Sequence, residues 1–196
     1  MKKTSWIIIG IVFVVIIIIT AEIIFYINSP KCAVIKTFNS LKKGDVITAS
    51  QFIDYNELMK YLNSEFKSDL TTMSENEAKC FNKLSFKIVN EEIQDDKATI
   101  TISSTNKNFR TVLDKLIKEI YLKQSSGEEI NKEQMIEKFY SFLDDEKIGT
   151  ITTTRDISLE KVDKKWKIIV DSNVEDAIFP GLADLVKSVD MLLASD

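Results

Sequence analysis

Residues 6–27 form a nearly unbroken run of apolar side chains, which follows the basic pair Lys2-Lys3. A helix of this length rises 1.5 Å per residue, so it spans about 33 Å and covers the ~30 Å hydrocarbon core of a bilayer. Trp6 and Tyr26 bracket the run, as aromatic residues do at the two membrane interfaces. The pattern therefore predicts a transmembrane helix that anchors the rest of the chain.

The basic pair also predicts the orientation of this anchor, because positive charge tends to stay on the cytoplasmic side of a membrane. We expect residues 1–28 to form a cytoplasmic stub with the signal anchor, and residues 29–196 to form an extracytoplasmic domain. A cleaved secretory signal is the first alternative, but its apolar core would be shorter and would end in small residues. A lipoprotein modified at Cys32 is the second, but the preceding Ser29-Pro30-Lys31 lacks the small apolar residues of such a site.

Beyond the run, apolar residues first recur at helical spacing. Ser29 and Pro30 are typical of a helix start, and Gly44 is typical of a helix end. Asp54 and Ser74, each followed three residues later by glutamate, predict the starts of two further helices. The apolar stripes are Val34, Ile35, Phe38 and Leu41 in the first helix, and Leu58, Met59, Leu62 and Phe66 in the second.

The apolar period then changes from 3.6 residues to 2, which predicts β-strands. Strands on either side of the polar segment 94–97 form a first hairpin, and strands on either side of the turn 163–165 form a second. Helical spacing returns between the hairpins, over residues 109–121 and 132–143. This order predicts an α+β fold, in which four antiparallel strands carry helices on one side.

The chain closes on Phe179-Pro180-Gly181 and an amphipathic helix over residues 181–193. Such a helix either packs on its own domain or offers its apolar face to a partner protein or a second copy. In the second case the partner-binding residues are Phe179, Leu182, Leu185 and Val189.

This arrangement resembles the nuclear-transport-factor-2-like family, in which a curved sheet wraps around helices in a cystatin-like cone. The resemblance covers residues 30–172, and its closing strand Asp163-Lys164-Lys165-Trp166-Lys167-Ile168 is similar to the last hairpin of small secreted bacterial members. The helix beyond Pro180 departs from the family pattern. Some members are isomerases or dehydratases that use an aspartate, a histidine and a tyrosine, and no residues here match that motif. Other members resemble single-span assembly subunits of type IV secretion systems, so the resemblance implies a fold and no activity.

Composition narrows the function classes. The whole chain has a net charge of −4, and setting aside Lys2, Lys3 and Glu22 leaves 24 basic and 29 acidic residues, or −5, for the outer domain. An acidic surface argues against a nucleic acid partner.

The chain has no histidine, which excludes Ser-His-Asp and Cys-His catalysis and every imidazole metal site. Its 24 lysines and two arginines are typical of an AT-rich bacterial genome.

Three residues are candidates for specific chemistry. Cys32 and Cys80 both fall outside the predicted membrane, where a disulfide can persist. They either form a bridge or remain two buried thiols.

Arg155 is in phase with apolar neighbours on its strand, and a buried arginine needs a carboxylate or a ligand anion. It is therefore the candidate ligand-binding residue, unless solvent reaches it.

We expect no cofactor, no metal and no catalytic residue. The leading hypothesis is a membrane-tethered extracytoplasmic domain that binds a ligand or partner without catalysis. One alternative is an assembly subunit of a cell-envelope, secretion or conjugation complex, acting with an envelope protein or as a homo-oligomer. The other is an isomerase- or dehydratase-like enzyme with a carboxylate inside the cone.

Overall fold

The structure is a computed structural model that describes residues 12–20, 26–60, 72–128 and 131–182. Residues 12–20 are helical, and the large apolar side chains among them are about half exposed. Within the described ranges, no helix is both long enough and apolar enough to cross a membrane. Residues 6–11 and 21–25 of the predicted span lie outside those ranges.

Four strands form one antiparallel sheet in the order β1-β2-β3-β4. Consecutive strands pair along their lengths, which confirms both predicted hairpins. The turn of the second hairpin places Asp163 and Lys164 at positive φ, which matches the right-handed twist of the flanking strands. The strands are β1 Ser85–Gln94, β2 Lys97–Lys107, β3 Thr150–Val162 and β4 Lys165–Ile168.

Seven helices follow the apolar segment in the part of the chain that the structure describes. Ser29 caps the first helix by accepting a hydrogen bond from the Cys32 backbone N–H at 3.1 Å, and Gly44 ends it at a φ of +74°. Asp54 and Ser74 cap two further helices, as predicted. The helices are α1 Pro30–Lys43, α2 Val46–Ser50, α3 Tyr55–Met59, α4 Glu75–Phe81, α5 Phe109–Ser125, α6 Lys132–Leu143 and α7 Ser172–Ile178.

Helices α1 and α7 pack on the same face of the sheet. The Phe38 ring of α1 lies 4.9 Å from the Phe86 ring of β1. Phe86 pairs across the sheet with Ser104, whose hydroxyl donates a hydrogen bond to the Ala177 carbonyl of α7 at 2.6 Å. The opposite face carries hydroxyl and charged side chains, such as Thr101, which donates to a neighbouring aspartate. The α+β class with helices on one side of the sheet is therefore confirmed.

Candidate functional site

A pocket opens where the predicted membrane run ends, and we call it the Lys36 pocket. Its described walls come from three separate parts of the chain. Residues 27–29 form the first wall, with α1 beside them; residues 51–52 form the second; and the start of β4 forms the third. The pocket encloses about 170 Å³, and its main lining side chains are Ile27, Lys36, Phe52, Lys165 and Trp166.

Local hydrogen bonds hold these walls in place. The Ser29 hydroxyl donates to the Tyr26 carbonyl at 2.7 Å, while its oxygen caps α1. The Ser29 backbone N–H also donates to the Tyr26 carbonyl, at 3.1 Å, so both the side chain and the backbone of Ser29 hold the turn from the apolar run into α1. On the other wall, the Ile168 backbone N–H donates to the Phe52 carbonyl at 2.7 Å. This bond joins the loop after α2 to the edge strand β4. A parallel bridge between Ile53 and Ile168 joins the same two segments.

The pocket is positively charged. The ammonium group of Lys36 lies 5.3 Å from the centroid of the Phe52 ring, a cation–π distance. Among the described residues, no carboxylate lies within 4.0 Å of Lys36 or of Lys165. Lys161 stands over Trp166 at 5.4 Å and is also 3.8 Å from Asp96. The described lining includes two lysines and no acidic residue, although the predicted outer domain has a net charge of −5.

This arrangement suits an anion. Lysine presents a compact point charge that binds phosphate or carboxylate oxygens. The volume is below the 300–1,000 Å³ typical of pockets for drug-sized molecules, so it matches a small charged group. The described lining includes no cysteine or carboxylate that could act as a nucleophile or base. The charge and size of the pocket therefore favour the binding of a small anion.

A second group of polar residues is buried between the helices, and it was not predicted from the sequence. Burial raises the pKa of both phenols, Tyr55 and Tyr140, and the nearby charge of Glu77 adds to the rise. Burial also raises the pKa of the Cys80 thiol, although Lys107 opposes the shift. These groups therefore stay protonated at neutral pH. The sequence signal was weak, because Glu77 was explained by its role in the Ser74 capping box.

Lys107 ends β2 and is almost fully buried. Burial lowers the pKa of its ammonium group, although nearby Asp144 acts in the opposite direction. The ammonium donates a hydrogen bond to the Leu143 carbonyl at the end of α6. A positive charge at a helix C-terminus is favourable, so Lys107 stabilises the α6 end.

Arg155 requires a correction as a ligand-binding residue. It does lie on the helix-covered side of the sheet, opposite Ile102, as its phase predicts. Its guanidinium group, however, forms an ion pair with Asp176 of α7 at 2.8 Å and donates to the Thr154 carbonyl. A carboxylate of the same chain therefore neutralises Arg155, and the side chain is still 41% exposed. It needs no ligand anion.

The partner-binding prediction for the closing segment also requires a correction. Phe179 and Leu182 are buried in the core of their own domain. The Phe179 ring lies 5.5 Å from the Phe81 ring and 5.4 Å from the Phe109 ring, because α4 and α5 cover it. These two side chains are thus not a surface for a partner. Leu185, Val189 and most of the predicted helix 181–193 lie outside the described residues.

Both thiols are free in the structure, and both are buried. Cys32 lies in the first turn of α1, and Cys80 lies in α4. Of the two alternatives left open by the sequence, the disulfide is not formed and the pair of buried thiols is present. Within the described ranges, no three acidic, cysteine or histidine side chains gather as a metal-ligand set.

Comparisons with known proteins add little to this picture. No family model matches the chain, and no curated protein sequence matches it. Among solved structures, the chain is similar to YcdA of Bacillus subtilis, described there as a "putative lipoprotein", with 15% identity and a TM-score of 0.39. The match covers 64% of this chain and 45% of the other, so this chain spans less than half of that protein's length. A likeness at this level carries no argument, and the resemblance to the nuclear-transport-factor-2-like family stays a prediction.

Proposed function

We propose that this chain is a single-pass, membrane-anchored extracytoplasmic domain that binds a ligand without catalysing a reaction. The observation that carries the proposal is the continuity between the apolar run and the Lys36 pocket. Ile27 is the last apolar residue of the run, and it also lines the pocket. The binding site therefore begins where the proposed anchor ends.

The exposed apolar side chains support the anchor. Residues 12–19 are all valine, isoleucine or phenylalanine, and each exposes about half of its surface or more. Eight consecutive side chains of this kind in water are unfavourable, because the hydrophobic effect penalises each of them. Insertion into a bilayer removes that penalty, and a helix forms all of its backbone hydrogen bonds internally, as a membrane requires.

The chemistry of the domain supports binding over catalysis. The chain has no histidine. The buried Cys80 thiol is held in its protonated form, whereas a reactive cysteine needs a lowered pKa and access to solvent. The Lys36 pocket has the positive charge and the shape to recognise an anion, and its described lining includes no carboxylate that could pair with a lysine as acid and base. We therefore assign its role to binding.

Extraction of cell membranes with alkaline carbonate tests the anchor. We expect the full chain to stay in the membrane pellet. A Val14→Lys/Ile17→Lys variant should move to the supernatant, since each charge at the centre of a membrane helix costs roughly 3 kcal/mol. The matched variant Val14→Leu/Ile17→Leu should stay in the pellet. A wild-type chain found in the supernatant, or a mature product that begins after Ile27, would contradict the proposal.

A further inference from the structure

We propose that the Lys36 pocket binds the phosphate of an anionic phospholipid headgroup, so that the domain docks on the membrane surface beside its own anchor. This inference rests on the proposed anchor, and it adds the chemical class of the ligand and the orientation of the domain.

Position is the first argument. Seven peptide units separate Thr20, the last described residue of the apolar helix, from Ile27 in the pocket wall. A fully extended segment of seven peptide units is at most about 25 Å long, so Ile27 lies no farther than that from Thr20. If residues 6–27 fill the hydrocarbon core, Ile27 lies at its outer boundary, where the headgroup layer begins. The pocket is then at the depth of the lipid phosphates.

Charge is the second argument. Among the described residues, Lys36 and Lys165 have no carboxylate at ion-pair distance, and the Phe52 ring contacts the Lys36 ammonium from one side. Negatively charged lipid surfaces attract lysines that lie next to a membrane anchor. The remainder of the domain is acidic and is repelled by the same surface. Both effects favour one orientation, with the Lys36 pocket facing the membrane.

Shape is the third argument. A volume of about 170 Å³ accommodates a phosphate with a small polar substituent, and it is too small for a folded peptide segment. Ile27 is 47% exposed at the pocket rim and can contact the upper part of an acyl chain. Lysine charge next to apolar surface is the combination that a headgroup requires, because its phosphate is polar and its glycerol esters adjoin the hydrocarbon.

Native mass spectrometry of the full chain in a nonionic detergent tests the assignment. The probes are short-chain phosphatidylglycerol, which is anionic, and short-chain phosphatidylcholine, which carries the same phosphate but no net charge. We expect phosphatidylglycerol to bind at least tenfold more tightly. The Lys36→Glu/Lys165→Glu variant should reduce this preference to less than twofold.

The matched control is Lys87→Glu/Lys118→Glu, which changes the net charge equally at exposed positions on β1 and α5 outside the described pocket lining. It should keep the tenfold preference. If both double variants lose the preference equally, the effect is one of overall charge and the pocket assignment is overturned. Binding of inorganic phosphate that depends on Lys36 and Lys165, with no preference between the two lipids, would overturn the lipid assignment.

Carbonate extraction of the same variants separates this inference from the proposed anchor. Chains that remain in the membrane pellet but show no lipid preference would overturn the headgroup site and leave the anchor in place. A wild-type chain that leaves the membrane would overturn both.

Discussion

The side-chain amide of Asn106 donates a hydrogen bond to the carbonyl oxygen of Ile178 at 2.7 Å. The same amide donates to the carbonyl oxygen of Cys80 at 2.8 Å, and Asn106 is fully buried. These two carbonyls lie in the last turns of α7 and α4, where a helix has no partners of its own for its carbonyl groups. Asn106 thus joins two helices to the central strand β2.

The Asn106→Ala variant should therefore be strongly destabilised. It removes three side-chain hydrogen bonds, one of which Asn106 accepts from the Lys107 backbone N–H, and it leaves two buried carbonyl groups unpaired. We therefore expect the free energy of unfolding to fall by about 3 kcal/mol. Urea unfolding of the full chain in a nonionic detergent, followed by circular dichroism, measures the change. The control Asn90→Ala lies on the exposed part of β1 and should change stability by less than about 0.5 kcal/mol. Equal effects of the two substitutions would contradict the account of Asn106.

Position 181 requires a glycine, because its backbone lies too close to α5 to leave room for a Cβ atom. Its φ is +85°, and a Cβ atom there would lie 2.9 Å from the Arg110 Cβ atom. We expect Gly181→Ala to cost about 3 kcal/mol, from backbone strain together with this steric overlap. Gly127 has a φ of +76°, but a Cβ atom added there would meet no other atom within 4 Å, so Gly127→Ala should cost only about 1 kcal/mol. Equal losses in urea unfolding would show that the Arg110 contact is unimportant.

Glu175 should make stability depend on pH. Burial raises the pKa of its carboxyl group, and the nearby Lys60 opposes the rise. The folded protein therefore holds this proton more tightly than the unfolded chain does. Stability contributed by this group must then fall as the pH rises from about 4 towards neutral.

The Glu175→Gln variant tests this prediction, because it keeps the shape of the side chain and removes its titration. We expect the variant to be more stable than wild type at pH 7 and equal to it at pH 4, as measured by urea unfolding at both values. Glu133→Gln, at an exposed position in α6, should not change the pH dependence. A wild-type advantage that grows with pH would contradict the burial of Glu175.

The two cysteines should be unreactive in the folded protein. Cys32 and Cys80 are both buried as free thiols, and burial raises the pKa of Cys80. We expect iodoacetamide at pH 8 to label neither residue until urea unfolds the chain, after which both should react without any reductant. The exposed variant Ser126→Cys should react in the folded protein and serves as the positive control. Labelling of the unfolded chain only after reduction would instead demonstrate a disulfide.

Much of the fold was predictable because its local signals agree with its packing. Ser29, Asp54 and Ser74 cap helices in the structure as their spacing predicts. The change to a period of two located both hairpins. Trp166 in the second hairpin is buried, because its strand alternates between core and solvent.

The short helices and the site were harder to predict for physical reasons. Helices α2 and α7 have five and seven residues, too few to show an apolar stripe. An amphipathic pattern also does not reveal which surface covers it, so the sequence left open whether Phe179 packs on its own domain or on a partner, and the structure buries it in its own domain. The Lys36 pocket joins residues more than 100 positions apart, Lys36 and Lys165, and only the tertiary fold brings them together.

Labelling with a membrane-impermeant maleimide in intact cells tests the central claim most directly. The account predicts that Ser126→Cys, which lies in the outer domain, reacts in intact cells, and that Ser5→Cys reacts only after lysis. The buried wild-type thiols should add no signal. If Ser126→Cys reacts only after lysis, the domain is not extracytoplasmic and the proposed topology is wrong.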